Sequence, residues 1–547
     1  MLSRHVDANS LVEQQLKSEA GTHTGDVTVA SGFESPYLNR YTASEPVPKF
    51  SIPENGLESK AAYALIRDDL DLDGKPNLNL ASFVTTYVEP EAVSLTNENL
   101  TKNLADSDEY PALMDIHSRC INILGSLWHA KTDEKPIGSA TTGSSEAIHL
   151  GGLAMKRRWQ EKRKAAGKDV SNPNIIMGAN AQVALEKFAR YFDVEARLIP
   201  VSKESHHCLD ATKVLENVDE NTIGIFIILG STYTGHYEPV AEISELLDDL
   251  EARTGIDVPI HVDGASGGFV APFCHPNTVW DFRIKRVHSI NTSGHKYGLV
   301  SAGLGWIIWR SEEYLPKHLV FELKYLGGVE QSFTLNFSRP GYQVIQQYYN
   351  FLHFGREGYT RIQRNSLSNA RLLATVLEAS GYFVCLSEIH RRRGVHEYDP
   401  SASKEESELG DDPENYNAGL PVVAWKLADS VKDQYPKVSQ NNLSTLLRVK
   451  GYIIPNYPLP PSEGNVEILR VVVRESMSSD LLERLCGDII SSVELLIKLS
   501  ADHSIAAIEH IIKPAPRVSS LGGLSESSSQ VNLADTGHKH GHYKGVC

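Results

Sequence analysis

The chain has 547 residues, of which 41% are hydrophobic and 22% charged, a composition typical of a soluble globular protein large enough for two domains. Its 53 basic and 69 acidic residues give a net charge of −16, which argues against nucleic acid or an anionic membrane as the main partner. The six cysteines show neither CxxC spacing nor the pattern of a disulfide framework, so they indicate a reducing compartment and no cysteine-based metal site.

No targeting or membrane segment is predicted. The first residues lack the apolar core of a signal peptide, and the longest apolar run, near 222–230, is too short to span a bilayer. Cys547 is the last residue, whereas a prenylated cysteine stands four places from the end. We therefore expect a cytoplasmic protein with no membrane partner.

In chain order, the first region is an N-terminal arm over residues 1–109, predicted to be partly disordered before about 45. Its one clear element is a helix near 58–70, which has apolar residues at helical spacing and stops before Gly74. From 110 to 355, apolar runs such as "TIGIFIILG" and "VPIHVDG" alternate with helical stretches. This alternation predicts an α/β domain with a mostly parallel sheet covered on both faces.

The C-terminal part has a different pattern. Residues 356–512 contain a long helix, three short strands and a final helix, which predicts a smaller α+β domain. Within it, 391–417 is charged and poor in apolar residues, so we expect a mobile insertion. Residues 513–547 are rich in Ser, Gly and His and are predicted to be a disordered tail.

Unusual polar residues stand at the ends of four predicted strands. They are Ser144 and Ser145 before a helix, Thr232, Asp263 and Lys296. Each has a plain structural interpretation, since serines cap helices, aspartates form turns and a lysine at a strand end is commonly a surface or salt-bridging residue. In a parallel sheet, however, such strand ends meet where ligands bind.

Together these positions match the needs of pyridoxal phosphate. A lysine forms an imine with the cofactor's aldehyde, an aspartate keeps the pyridine nitrogen protonated, and small residues at a helix N-terminus hold the phosphate. Asp263 with Lys296 one strand later supplies the first two parts, and the Ser144–Ser145 turn supplies the third. The strand-end lysine is thus predicted to be a nucleophile.

At these residues the chain resembles the glutamate decarboxylases, which are pyridoxal-phosphate enzymes of fold type I. The similarity rests on several motifs in order, across about residues 50 to 500: "GSSEA", "FARYFDVE", "YTGHYE", "VDGASGGF", "VWDFR", "SGHKYG", "YLGG" and "NFSRPGYQVIQQYY" followed by "GREGY". The resemblance implies a large cofactor-binding domain, a small C-terminal domain and an N-terminal arm.

The resemblance also implies roles for individual residues. Lys296 would hold the cofactor, Asp263 would pair with its ring nitrogen, and Lys296 or a group near His295 would deliver a proton to the substrate. The implied cofactor-binding residues are Ser144, Ser145, Gln182, Thr232, Asp263, Ala265, Ser293, His295, Lys296 and, from the neighbouring subunit, Ser338. The implied substrate-binding residues are Ser82, Phe83, Asp106 and Arg470. For Arg470, an internal salt bridge is the structural alternative.

Some features depart from the family pattern. Ser82 stands where threonine is common, and Gly264 replaces the usual alanine. The tail has no basic amphipathic helix with a tryptophan, so calmodulin control is not predicted. Its histidines at 538, 540 and 542 are interpreted as part of a solvated tail, with a weak metal site or a proton-sensitive cap as the alternatives. No metal is predicted.

The activity implied is decarboxylation of L-glutamate to 4-aminobutanoate (GABA) and carbon dioxide, by a homodimer or a higher oligomer of dimers. Two alternatives remain from the sequence. One is a related decarboxylase acting on an aromatic or sulfinic amino acid. The other is a catalytically idle scaffold that binds the cofactor, although the presence of both Lys296 and Asp263 argues against it.

Overall fold

The computed structural model describes residues 51–323, 330–397 and 410–501. The predictions of disorder before about 45 and beyond 513 lie outside these residues. The chain divides into two compact units, 1–75 and 76–547. In the first unit, helix α1 (Ser59–Leu70) confirms the predicted helix, and Tyr63, Ile66 and Leu70 share one of its faces at helical spacing.

A seven-stranded sheet is the centre of the second unit. Its strand order is β1-β7-β6-β5-β4-β2-β3, and all neighbouring pairs are parallel except β1–β7 and β7–β6. The mostly parallel sheet predicted from the sequence is therefore confirmed. The strands are β1 (Ile137–Thr141), β2 (Asn174–Gly178), β3 (Glu195–Ile199), β4 (Thr222–Ile228), β5 (Ile260–Asp263), β6 (Val287–Ser293) and β7 (Gly305–Trp309).

Helices cover this sheet and precede it. They are α2 (Pro90–Glu98), α3 (Pro111–Leu127), α4 (Ser144–Ala165), α5 (Val183–Tyr191), α6 (Val240–Thr254) and the short α7 (Ala271–Cys274). Helix α4 approaches the sheet closely at Gly151, where a Cβ atom would lie 2.5 Å from the His261 ring. Only glycine permits this approach, which places the start of α4 beside the ends of the central strands.

A long helix, α8 (Tyr342–Ala379), connects the large sheet to a smaller one, and its backbone is non-helical at Gly355 (φ 57°, ψ −170°). The smaller sheet has the order β10-β11-β13-β12 and is antiparallel throughout. The remaining elements are β8 (Phe321–Leu323), β9 (Glu330–Ser332), β10 (Phe383–Cys385), β11 (Val422–Leu427), α9 (Asp429–Gln434), α10 (Gln440–Val449), β12 (Asn456–Pro458), β13 (Glu467–Val472) and α11 (Ser479–Ala501). The predicted domain boundaries at 109, 355 and 512 stay predictions.

Residues 398–409, the central part of the insertion predicted to be mobile, lie outside the described residues. The two flanks of that insertion are joined by backbone hydrogen bonds, from Arg393 to Asn415 at 2.9 Å and from Asn417 to Arg391 at 3.1 Å. Across the described ranges, no helix is both long and apolar enough to cross a membrane.

Candidate active site

The predicted site residues follow strands that end at one edge of the large sheet. Because β2, β4, β5 and β6 are parallel neighbours, their carboxyl ends lie together. Asp263 is the last residue of β5 and Ser293 the last of β6, with Lys296 in the turn that follows. Thr232 lies beyond β4, and Gln182 precedes α5.

The Lys296 amine lies in a mixed apolar and polar environment. Its Nζ donates to Ser266 Oγ at 3.4 Å and lies 5.4 Å from the centre of the Phe83 ring. Burial lowers the pKa of the Lys296 amine, the Asp263 carboxylate opposes this shift, and the Arg470 cation adds to it. A lowered pKa increases the fraction of neutral amine, which is the nucleophilic form.

Asp263 is 3% exposed and is held by hydrogen bonds from within the sheet. Its Oδ1 accepts from the Ala265 backbone amide at 3.0 Å and from Asn291 Nδ2 at 2.9 Å. The amide nitrogen of Asn291 faces the Asp263 carboxylate. The Asn291 Oδ1 atom therefore faces His261 and accepts from its Nε2 at 2.7 Å. His261 Nδ1 then accepts from the Ser289 hydroxyl at 2.7 Å, and burial lowers the pKa of His261 to about 4, so the ring is neutral.

This chain of hydrogen bonds was not predicted from the sequence. It runs from Ser289 through His261 and Asn291 to Asp263. The register pairs His261 with Ser289 and Asp263 with Asn291 across β5 and β6. A detectable signal exists, because polar residues recur at every second position of β5 (His261 and Asp263) and of β6 (Ser289, Asn291 and Ser293).

A second group of residues surrounds the start of α4. Gly143 precedes this helix with φ +151°, and a Cβ atom there would lie 3.5 Å from the Cε1 atom of His295. Ser293 is fully buried, and its hydroxyl has no hydrogen-bond partner among the described residues. An unpaired buried hydroxyl beside a helix N-terminus fits a bound phosphate. Ser144 is partly buried and Ser145 exposed.

His295 is fixed by its own backbone surroundings. Its Nδ1 donates to the Leu304 carbonyl at 2.6 Å, and its backbone carbonyl accepts from the Thr85 amide at 3.0 Å. Burial, together with the neighbouring Lys296 charge, lowers the pKa of His295 to about 4. The ring is therefore neutral near pH 7, with its single N–H engaged by Leu304.

Arg470 brings a cation from the small sheet. The residue is 8% exposed on β13, and its Nη1 donates to the Thr232 carbonyl at 2.6 Å while Nη2 donates to the Ala81 carbonyl. Its Cζ lies 5.1 Å from the centre of the Phe83 ring. Its Nε is buried without a partner, and no acidic side chain in the described ranges forms an ion pair with it. The internal salt bridge considered from the sequence is absent from this part of the structure.

Four predicted residues have only local or remote contacts. Ser82 Oγ accepts from the Val84 amide at 3.2 Å, and Asp106 Oδ1 accepts from the Glu109 amide at 3.0 Å. Gln182 is exposed at the start of α5. Ser338 is also exposed, and its hydroxyl accepts from Asn103 Nδ2 at 3.3 Å. The roles assigned to these four residues stay predictions.

Comparison with known proteins identifies the family. Residues 53–393 match the model of the pyridoxal-dependent decarboxylase conserved domain. The chain belongs to this family. Among its relatives, a glutamate decarboxylase of Saccharomyces cerevisiae is 50% identical, covering 89% of this chain and 85% of that protein. A glutamate decarboxylase of Solanum lycopersicum is 47% identical, covering 83% of this chain and 84% of that protein.

A solved structure confirms the fold of this decarboxylase. The glutamate decarboxylase of Lactobacillus brevis matches with a TM-score of 0.75 at 40% identity, covering 84% of this chain and 98% of that one. These findings confirm the family, the fold type I architecture and the pyridoxal phosphate cofactor expected from the sequence. The low-pKa amine of Lys296, the buried Asp263 and the unpaired Ser293 hydroxyl fit that cofactor.

Proposed function

We propose that this decarboxylase converts L-glutamate into 4-aminobutanoate and carbon dioxide. Relatives named glutamate decarboxylase, 40–50% identical over more than four fifths of this chain, support the substrate. The structural observation behind the proposal is the buried Arg470 guanidinium, which has no acidic partner among the described residues and shares the Phe83 ring with the Lys296 amine. An unpaired buried cation is costly, and an anionic substrate removes that cost.

When bound, pyridoxal phosphate supplies an electrophilic aldehyde and a ring that accepts the electron pair left by carbon dioxide. Lys296 would hold the cofactor through its amine. Asp263 would pair with the ring nitrogen, and Asn291 holds the Asp263 carboxylate in place at 2.9 Å. The α4 N-terminus with Ser144, Ser145 and the Ser293 hydroxyl would hold the phosphate.

Substrate positioning involves Arg470 of the small sheet and the adjacent segment that contains Phe83. Arg470 binds the α-carboxylate region, while Ser82, Phe83 and Asp106 take the distal carboxylate, as the resemblance implies. The proton delivered to the substrate Cα would come from the ammonium form of Lys296, after its amine has taken a proton from the substrate's α-ammonium group, because the only N–H of neutral His295 is engaged by the Leu304 carbonyl. His295 instead lies beside the turn at Gly143, where an added Cβ atom would be 3.5 Å from its ring.

The proposal is tested by product analysis of the purified holoenzyme with a panel of amino acids. We expect 4-aminobutanoate from L-glutamate, with much slower turnover of aspartate, aromatic amino acids and cysteine sulfinate. A preference for an aromatic or sulfinic substrate would assign a different decarboxylase. Bound cofactor with no turnover of any substrate would indicate the idle scaffold.

The proposal includes a homodimer, or a higher oligomer of dimers, in which Ser338 and Asp106 complete the partner's site. It is supported by the exposed position of Ser338, whose hydroxyl contacts Asn103, and by the apolar row of Tyr63, Ile66 and Leu70 along one face of α1. A cytoplasmic location also stays a prediction; the five cysteines in the described ranges are free and buried, as a reducing compartment allows.

Subunit mixing tests the shared site. A Lys296→Ala chain and a Ser338→Ala, Asp106→Ala chain each lack a functional site, but their heterodimer has one native site if the residues act across the interface. After confirmed subunit exchange, we expect the mixture to be more active than either parent. Activity equal to the parents would contradict sharing.

A further inference from the structure

Away from the candidate active site, three loops bring imidazoles around one carboxylate. Glu388 follows β10, His206 follows β3, and His236 lies in the loop after β4. One ligand atom from each of these residues lies within 4.8 Å of the others. The cluster adjoins a cavity of about 680 Å³ that is also lined by His396. Cysteine spacing cannot reveal such a group, because its members are histidines and a glutamate that are distant in sequence.

His236 is the unusual member of this cluster. The residue is 8% exposed, and its buried Nε2 makes no hydrogen bond of ordinary geometry in the described part of the chain; it faces Glu388 Oε2 at 3.4 Å. Its other nitrogen, Nδ1, is hydrogen-bonded to the Thr234 hydroxyl at 2.8 Å. When that nitrogen is the donor, Nε2 keeps a free lone pair directed at the cluster. Histidines that bind metals are held in this way by a second hydrogen bond.

The donor atoms of the cluster lie close enough to share one ion. His206 Nδ1 lies 3.3 Å from Glu388 Oε1, and His236 Nε2 lies 3.4 Å from Glu388 Oε2, so the two imidazoles approach the two oxygens of one carboxylate. An ion between them would be bound by both oxygens of Glu388, or by one of them after a small rotation of the carboxylate. His396 is too close to be a further ligand, since its Nδ1 lies 2.6 Å from Glu388 Oε2, but this bond orients the carboxylate.

We propose that His206, His236 and Glu388 bind one divalent transition-metal ion, with zinc as the first candidate. Two imidazoles and one carboxylate suit zinc and the related ions cobalt and nickel, and a water from the cavity completes the coordination. His206 is partly exposed, so its ring has room to turn toward the ion. The metal would connect the loop containing Thr232, whose carbonyl accepts from Arg470, to the segment after β10.

A second group of possible ligands is a less suitable site. Glu378, Cys385 and His390 also lie within reach of one ion. Glu378, however, already accepts from His390 at 2.8 Å and from Arg391 at 2.8 Å, and all three possible ligands are buried. A metal there would have to displace the Arg391 guanidinium from a buried carboxylate, which is costly, whereas Glu388 has imidazole partners and lines a cavity.

Metal retention by the untagged full-length holoenzyme tests the proposal. In the parent protein and in every variant, glutamine replaces His538, His540 and His542. The tail then offers no competing imidazoles. After chelation, each is equilibrated with Zn²⁺, dialysed and assayed for bound zinc, and Co²⁺ is used in parallel for its visible spectrum. We expect about one metal ion per chain and a zinc-dependent rise in melting temperature.

Single substitutions locate the ion. His206→Gln and His236→Gln are each expected to weaken zinc binding by at least about tenfold and to remove the cobalt spectrum. His206→Gln keeps the test valid if the buried His236→Gln fails to fold. The matched control is His207→Gln, in the same loop, because His207 pairs with Glu463 at 2.6 Å outside the cluster.

Three results would overturn the proposal. The parent protein fails to retain zinc or cobalt, which leaves the cluster as an ion-pair network. Binding is weakened equally by His207→Gln. Binding survives His206→Gln and is instead lost in Cys385→Ser, which assigns the metal to the second group.

Discussion

The two sheets differ in whether their buried polar groups have hydrogen-bond or ionic partners. In the seven-stranded sheet, Ser289, His261, Asn291 and Asp263 satisfy one another in a continuous series of hydrogen bonds. In the four-stranded sheet, Arg470 is nearly as buried, yet its Nε has no partner and no described acidic side chain pairs with it. A satisfied network is rigid and positions a group, whereas an unpaired buried cation favours an anionic ligand. The proposed function therefore assigns cofactor binding to the large sheet and substrate binding to the small sheet.

The largest effect on activity is expected from removing the Lys296 amine, which lies just beyond β6. We expect Lys296→Ala to fold and to lose activity by at least about 1,000-fold, since no other residue can attach the cofactor. The visible absorbance of the attached cofactor should also disappear. Turnover and absorbance spectra are compared with those of Lys285→Ala, which removes an exposed lysine of the same domain. Decarboxylation at the parent rate would show that Lys296 is not the attachment point.

Asp263→Asn keeps the shape of the large-sheet network but removes its charge. We expect weaker cofactor binding and a loss of roughly 100-fold in kcat, because a neutral partner no longer favours a proton on the ring nitrogen. Cofactor titration and steady-state kinetics measure the two effects, with the exposed Asp249→Asn as control. A loss smaller than about tenfold would argue against the proposed role of the carboxylate.

Arg470→Lys tests the small sheet. Lysine keeps the positive charge but lacks the planar group with several donors that binds a carboxylate, so we expect kcat/KM for glutamate to fall about 10- to 100-fold, mainly through KM. The melting temperature should change little. Arg448→Lys, on the exposed side of α10, is the control. An unchanged KM would show that Arg470 does not contact the substrate.

Asn291→Ala interrupts the large-sheet network one step from the cofactor. Asp263 loses a donor and His261 loses its acceptor, so we expect a loss of about tenfold in activity. A positioning role also predicts a changed pH dependence of cofactor absorbance, which a purely structural defect would not produce. Ser289→Ala, at the far end of the network, should have a smaller effect. Equal effects of the two substitutions would contradict the inferred order.

Among these variants, the smallest effect on activity is expected for His117→Gln, because His117 is not one of the site residues; protonation of the buried imidazoles should instead affect stability. Burial lowers the pKa of His261 and His295 to about 4 and that of His117 to about 3, against 6.5 for an ordinary histidine. Between about pH 4 and pH 6.5 these histidines are protonated in the unfolded chain and neutral in the folded one. The free energy of unfolding therefore decreases as the pH falls from about 6.5 to 4.

Melting temperatures between about pH 8 and pH 5 measure this slope. His117→Gln should reduce it, because glutamine can still accept from the Ala140 amide but does not titrate. The exposed His353→Gln is the control. A melting temperature that does not change with pH would contradict the linkage.

The sequence predicted much of the fold because its signals are local. Alternating apolar runs and helical stretches indicate a parallel sheet, and Asp263 and Lys296 follow adjacent strands whose ends must meet. It missed that β7 runs antiparallel between β1 and β6, since strand direction depends on the connections and not on composition. The Asn291–His261 link was missed for a related reason, because the cross-strand register determines which polar residues meet.

The sequence by itself determined the cofactor chemistry, since one lysine, one aspartate and a small-residue turn suffice to indicate pyridoxal phosphate. Only the tertiary structure decided which groups remain unpaired. Arg470 lies on a different sheet from Lys296, and both approach Phe83 only because the small sheet packs beside the large one. His206, His236 and Glu388 likewise converge from three loops. Whether a buried polar group is satisfied depends on contacts distant in sequence, and those exist only in the folded chain.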